Sequence, residues 1–301
     1  MSSYKCILLV YVKKFSSGHY RIFYRRETVI CMGLFDSMKD NMERRQRTRE
    51  YLKNAKEYIN DGEELYQNAY EKVLKRADKT RDAIRKHVEY KKDISRRLGE
   101  EILPTIENFQ VPDFTTKIDP PFIDGKKAGL TTFSNSFTSA VCMNPVPIPS
   151  IMDLFVSEED YLEARNQRDE AKQFKQRMKY ERERLYEYRD RMSMITSAIS
   201  EEQNQIDALL EKLDTMTGKM KSFEKSGNHS TKEIEYMKAI KKISEAICKL
   251  LSADFLNDNM EISDHYKNIM EGIEQINCAI PSANNITDSQ IKEIENINIG
   301  W

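Results

Sequence analysis

One stretch of the sequence decides the fold. Residues 164–223 read ARNQRDEAKQFKQRMKYERERLYEYRDRMSMITSAISEEQNQIDALLEKLDTMTGKMKSF. Every seventh residue counted from Ala164 is apolar, without a polar interruption. Three residues further on in each heptad, from Gln167 to Phe223, six of the nine positions are apolar. A seven-residue repeat of this length predicts an a/d seam, and therefore left-handed supercoiling against a partner helix.

The composition favours long exposed helices over two globular domains. Charged residues make up 32 % of the 301 residues, hydrophobic residues only 39 %, and there are just ten Gly and eight Pro. Seven of the eight prolines lie in residues 104–149, so breaks in the helical pattern are concentrated there. Five cysteines without a CxxC pair predict reduced thiols in a cytoplasmic protein.

An N-terminal extension, residues 1–31, differs from the rest of the chain. Residues 6–12 are strand-like, and residues 16–18 would suit the turn of a β-hairpin. The alternative is an extension upstream of a working start at Met32. In that case residues 32–37 match an N-myristoylation pattern, although they equally suit the start of an amphipathic helix.

The first long helix is predicted over residues 32–103, ending where Leu103 precedes Pro104. A column of small residues at Ala55, Gly62 and Ala69 would let a neighbouring backbone approach closely.

A basic run in this helix, residues 72–97, holds eleven Lys or Arg against four Asp or Glu. It suggests contact with nucleic acid or an anionic membrane, or else a face neutralised by another helix of the chain. The predicted contact residues are Arg85, Lys86, Lys91, Lys92, Arg96 and Arg97.

The proline-rich segment that follows, residues 104–156, is referred to as the cap. Residues 128–152 contain no charge and form an uncharged tongue. The tongue either packs on itself, contacts a protein partner or enters a membrane interface. Its predicted contact residues are Phe133, Phe137, Val141 and Met143.

Two further helices are predicted, at residues 157–226 and 231–280. Ser157 and Gly227 would cap the first of them, and Ser230 with Glu233 forms a capping box for the second. The two long helices of nearly equal length predict an antiparallel hairpin. The short turn after residue 226 predicts that the third helix is antiparallel to the second, which would place its acidic residues 254–280 beside 57–83 and 177–203.

The remaining tail, residues 281–301, is either a short docked helix within 286–297 or a flexible end. Both interpretations stay open at this point.

Chemistry-bearing motifs are absent. The four His share no metal-ligand spacing, and no phosphate-binding loop or nucleophile turn occurs. His87 is interpreted as a helix-packing residue, and the seam residues Glu181 and Glu202 as register-setting or partner-facing acids. We therefore expect no enzyme activity, cofactor or metal.

The sequence as a whole predicts an all-α protein: an elongated antiparallel coiled-coil bundle of three long helices with a loop-rich cap that could include short strands. The predicted function is a cytoplasmic, non-catalytic scaffold or interaction protein. Its partner would be an unidentified protein or a second copy of the chain. There are two alternatives. The first is a membrane-active protein that uses the tongue, and it implies peripheral membrane contact. The second is a nucleic-acid-associated protein that uses residues 72–97.

Overall fold

The structure, a computed structural model, describes residues 27–107, 118–123, 129–142, 147–150, 158–223, 230–281 and 286–299. Its helices are α1 (Glu27–Arg97), a π-helical turn (Leu98–Ile102), α2 (Leu103–Glu107), α3 (Leu130–Cys142), α4 (Glu158–Met220), α5 (Thr231–Ser252), α6 (Asp264–Ala279) and α7 (Asp288–Asn296). No strand occurs in these ranges, so the all-α prediction is confirmed for them. The predicted hairpin at residues 6–24, Ser157 and Gly227 lie outside the described residues.

The chain is divided into two compact units, and each unit contains part of α1 and part of α4. The first unit comprises residues 1–62 and 148–176, and the second comprises 63–147 and 177–301.

The a positions of the heptad seam are buried along the whole of α4. All nine a positions are buried: Ala164, Ala171, Met178, Leu185, Met192, Ile199, Ile206, Leu213 and Met220. The exposed faces between them carry the Lys, Arg, Asp and Glu that make the sequence so polar. The periodicity of residues 164–223 therefore identifies the buried face of α4 correctly.

In the first unit, α1 and α4 run parallel. The hydroxyls of Tyr51 and Tyr161 lie 3.3 Å apart, and Lys175 Nζ lies 2.6 Å from Asp61 Oδ2. These partners are 110 and 114 residues apart in the chain, so residue numbers rise together on the two helices. In an antiparallel pair one number would fall as the other rises.

The second unit shows the same direction. Arg76 Nη2 donates to Thr196 Oγ1 at 2.6 Å, and the Tyr90 hydroxyl donates to Asp207 Oδ1 at 2.7 Å. The sequence separations are 120 and 117 residues. The predicted antiparallel hairpin is therefore wrong, because an a/d stripe can pair in either direction and the connection is long enough to lead the chain back.

The return of the chain can be followed in the second unit. The Ser95 hydroxyl donates to the Pro121 carbonyl at 2.9 Å near the end of α1. Further along, Ser136 of α3 donates to the Asp258 carbonyl at 2.9 Å. The cap thus begins beside the end of α1, and α3 then packs on the loop that follows α5.

The end of the first helix also differs from the prediction. Helical structure continues past Pro104 to Glu107, through a π-helical turn in which the Leu103 N–H donates to the Leu98 carbonyl. An α-helix would bring the proline ring against a carbonyl four residues earlier. We attribute the continuation to the wider π turn, which relieves that clash.

The predicted third helix, 231–280, is two helices. The capping box of Ser230 and Glu233 is confirmed at the start of α5. After α5, residues 253–263 form a loop held by a bridge between Leu256 and Ile262, with Met260 at a φ of 59°. The loop reverses the chain direction.

Their directions follow from their contacts with α4. Phe223, just after α4, stacks edge-on against Tyr236 of α5 with ring centroids 5.8 Å apart. Leu250, near the end of α5, binds Lys91, which pairs with Glu202 of α4, so α5 runs antiparallel to α4 as predicted. In contrast, Tyr266 contacts Glu202 and Asn277 contacts Gln205, so α6 runs parallel to α4. The acidic residues of α6 consequently do not lie beside 57–83.

The tail contains the docked helix α7, so the docked-helix interpretation holds for these residues and the flexible end does not. Ile291 and Ile294 of α7 are buried against the core of the second unit, and α7 contacts α5 and α6. A Cβ on Gly272 of α6 would lie 3.2 Å from the Asn298 carbonyl oxygen, so the small residue permits this close approach.

Candidate functional site

Four polar side chains meet in the core of the second unit. His87 and Lys91 come from α1, Glu202 from α4 and Tyr266 from α6, and all four are buried. Helical spacing places His87 and Lys91 on the same face of α1 because they are four residues apart. Their partner, Glu202, occupies a d position of the α4 seam.

The Glu202 carboxylate is the centre of this buried cluster. Its Oε1 lies 3.0 Å from Lys91 Nζ, and its Oε2 lies 2.7 Å from His87 Nε2. The Tyr266 hydroxyl donates to Oε2 at 2.6 Å. Lys91 also donates to the Leu250 carbonyl of α5 at 3.3 Å, so the cluster joins four helices.

Aromatic rings complete the environment of Lys91. Its ammonium lies 5.5 Å from the ring centroid of Tyr266 and 6.0 Å from that of Phe255. Such cation–π contacts partly replace the water that a buried ammonium loses.

The charges determine the protonation of the cluster. Burial by itself raises the pKa of Glu202, but Lys91, His87 and Tyr266 together outweigh it and hold this pKa below its usual value. Burial, followed by the neighbouring Glu202 carboxylate, raises the pKa of Tyr266 well above its ordinary range. Glu202 is therefore a carboxylate and Tyr266 a neutral hydrogen-bond donor at neutral pH.

This cluster fits a structural role. Its carboxylate already has three partners, and a buried polar contact of this kind can define the register and partner choice of packed helices. The burial of His87 agrees with its expected role as a packing residue, whereas the register-setting role of Glu202, one of its two expected roles, stays a prediction. The sequence analysis placed His87 and Glu202 at packing positions but assigned Lys91 to the surface. It paired none of them, because it predicted α1 antiparallel to α4 and because Tyr266 reaches Glu202 only after the reversal that follows α5.

The basic run is only partly neutralised within its own helix, where four of its eleven bases pair with acids. Each of its four acids pairs with a base three residues further on: Asp78 with Arg81, Asp82 with Arg85, Glu89 with Lys92 and Asp93 with Arg96. None of these four pairs involves residues 254–280, which were expected to neutralise part of the basic run.

The predicted basic contact residues fall into three groups by exposure. Lys91 is 1 % exposed and belongs to the buried cluster, so its prediction as a surface contact is wrong. Arg97 is partly exposed and pairs with Asp214 and Glu101. Arg85, Lys86, Lys92 and Arg96 are exposed, and their contact with a partner stays a prediction.

The tongue residues are also divided. Phe133 and Phe137 are buried, with stacked rings 6.0 Å apart between centroids, so they do not form the exposed contact that was predicted. They are instead core residues of the second unit, to which α3 belongs. The Val141 side chain and Met143 lie outside the described residues.

A different cap residue is exposed. Phe122 is 84 % exposed, whereas its neighbour Ile123 is buried. The backbone beside it is held in place, since Pro121 accepts the Ser95 hydrogen bond and a Cβ on Gly99 would touch the Pro120 ring at 3.0 Å. In the sequence, the Pro-Pro-Phe-Ile pattern indicated an extended segment with two apolar side chains. Only the packing shows that Phe122 is the exposed one and Ile123 the buried one.

Comparison with known proteins adds no family or fold relative, because no family model, curated protein or solved structure matches the chain. Among the described residues, no group of three or more His, Cys, Asp or Glu side chains could hold a metal ion. No helix in the described ranges is long and apolar enough to cross a membrane.

Proposed function

We propose that this chain is a non-catalytic coiled-coil interaction protein whose cap contacts a protein partner. The observation that carries the proposal is Phe122, a large aromatic side chain that is almost fully exposed on a backbone held in place by its neighbours. Aromatic residues of this kind are common anchors of protein interfaces, where they fill a pocket on the partner.

The two prolines before Phe122 favour this role. Proline restricts the backbone, so the segment loses little conformational freedom when a partner binds. A phenylalanine at the end of such a segment can therefore bind with a small entropic cost.

The buried cluster supports the non-catalytic part of the proposal. A catalytic acid or base must reach a substrate, whereas Glu202 and Lys91 are buried and already paired with one another. The free thiols of Cys248 and Cys278 suit a reducing compartment such as the cytoplasm, which is the proposed location.

The alternatives have less support. The membrane-active alternative depended partly on Phe133 and Phe137, which are buried. The nucleic-acid alternative depends on a run whose four acids each pair with a nearby base, although exposed pairs of this type are weak.

Affinity purification of the full chain from its native host tests the proposal. The comparison is between the unchanged protein, Phe122→Ser and the control Tyr180→Ser, which removes another exposed aromatic side chain. We expect a partner that is retained by the unchanged protein and by the control but lost with Phe122→Ser. A set of partners that Phe122→Ser leaves intact would contradict the role of the cap.

A further inference from the structure

A groove lies between α4 and α6 in the second unit. It is an open groove of about 300 Å³, and its apolar lining comes from Ala198, Ile262, Tyr266 and Met270. Tyr266 is also the residue whose hydroxyl binds Glu202, so the buried cluster lies directly behind the groove and holds its floor.

The groove continues along one face of α4. Met194, Ala198, Glu201 and Gln205 follow one another at steps of four, three and four residues, which places them in one row. Met194 is 65 % exposed and lies one turn beyond the residues that line the groove, so it adds an apolar side chain to the same face.

Both ends of this row are closed by hydrogen bonds. At one end Arg191 donates to the Asn259 carbonyl at 3.0 Å, and at the other Asn277 donates to Gln205 Oε1 at 2.6 Å. The row between them is about 20 Å long at 1.5 Å per residue. That length corresponds to about four turns of a bound helix.

The charge of the rim is negative. Glu201, Glu271 and Glu274 line the groove, and the single basic side chain there, Lys267, is paired with Asp264 at 2.8 Å. No ion pair involves Glu271 or Glu274 among the described residues.

We propose that this groove binds an amphipathic helix of another protein, with apolar side chains on one face and Lys or Arg beside them. The apolar lining would receive the apolar face, and the three carboxylates would attract the flanking cations. Methionine suits such a surface because its flexible, polarizable side chain adapts to different shapes. The inference rests on the proposal that the chain is an interaction protein, but not on the role of Phe122.

The test uses the full chain and a synthetic helical peptide of about 14 residues, the length that spans the groove. The peptide contains Leu on one face and Lys on the other, and a matched peptide has Glu in place of Lys. In fluorescence anisotropy we expect saturable binding of the Leu/Lys peptide only, weakened by salt. Absence of binding would overturn the inference.

Two double variants locate the binding. Glu271→Lys with Glu274→Lys should weaken binding at least tenfold. Glu64→Lys with Glu71→Lys changes the net charge equally at exposed positions of α1 and should leave binding nearly unchanged. Equal loss in both would show nonspecific charge attraction and overturn the assignment.

Two further measurements separate the remaining outcomes. The Phe122→Ser variant should bind the peptide as the unchanged protein does. Peptide binding therefore tests the groove alone, and partner capture by the cap is tested separately. In sedimentation experiments on the same samples, the chain should not form a dimer that dissociates when the peptide is added. If it does, the occupant is a second copy of the chain, and the assignment to another protein is overturned.

Discussion

Lys91 and Glu202 meet inside the protein, with Nζ 3.0 Å from Oε1 and at most 1 % of either side chain exposed. Removing both charges from water is costly, and their attraction offsets this cost only because further groups complete the site. Leu250, His87 and Tyr266 supply those groups. The pair therefore favours the one packing in which α1, α4, α5 and α6 all contribute.

The first prediction concerns the dependence of the two charges on each other. Glu202→Leu leaves a buried ammonium without its carboxylate and should lower the free energy of unfolding by about 3–5 kcal/mol, as should Lys91→Met for the opposite charge. The double variant should cost clearly less than the sum of both. Urea unfolding measures all four proteins, and strict additivity would contradict the pairing.

The second prediction is a loss of stability in acid. Because the pKa of Glu202 is lower in the folded protein than the value of about 4.3 in an unfolded chain, the unfolded state takes up the proton first. The stability that ionised Glu202 contributes is fully present above about pH 4.3, and it is lost as pH falls through the pKa of Glu202 in the folded protein. Urea unfolding between pH 7 and pH 3 should show a smaller acid loss for Glu202→Gln, and identical pH profiles would argue against it.

The third prediction tests the seam of α4. Ile199→Asp places a charge at a buried a position and should cost several kcal/mol, because the lost apolar contact adds to the cost of an unpaired buried charge. The adjacent Ser200→Asp, on the exposed side of the same turn, should change stability by less than about 0.5 kcal/mol. Unchanged thermal unfolding of Ile199→Asp would mean that the seam is not buried.

The fourth prediction concerns two glycines in helices. Alanine at Gly62 would gain about 1 kcal/mol of helix propensity, but its Cβ would lie 3.0 Å from Phe174 and 3.3 Å from the Lys175 backbone. We expect Gly62→Ala to be net destabilising by about 1 kcal/mol, since overpacking costs about 1–3 kcal/mol.

Gly218 provides the matched control. A Cβ there has no neighbour within 4 Å, so Gly218→Ala should stabilise the protein by up to about 1 kcal/mol. Thermal unfolding of both variants checks the sign of each change. A stabilising Gly62→Ala would show that α1 and α4 can separate locally without penalty.

Much of the local structure was predictable from the sequence. The heptad pattern identified the buried face of α4, and Ser230 with Glu233 marked the start of α5. The break between α5 and α6 was visible only as a polar patch at 257–259, because the bridge that holds the loop forms between residues on either side of it. The groove could not be predicted, since α6 reaches α4 only after that reversal.

The sequence by itself determined that residues 164–223 form a helix with one buried face, because helical periodicity is a property of neighbouring residues. Tertiary structure alone decided the direction in which α1 and α4 pair. An apolar a/d stripe packs against another stripe in either direction, and the cap is long enough to permit both. The partners of Glu202 explain the observed direction: a buried carboxylate needs polar partners, and the parallel arrangement places His87 and Lys91 beside it.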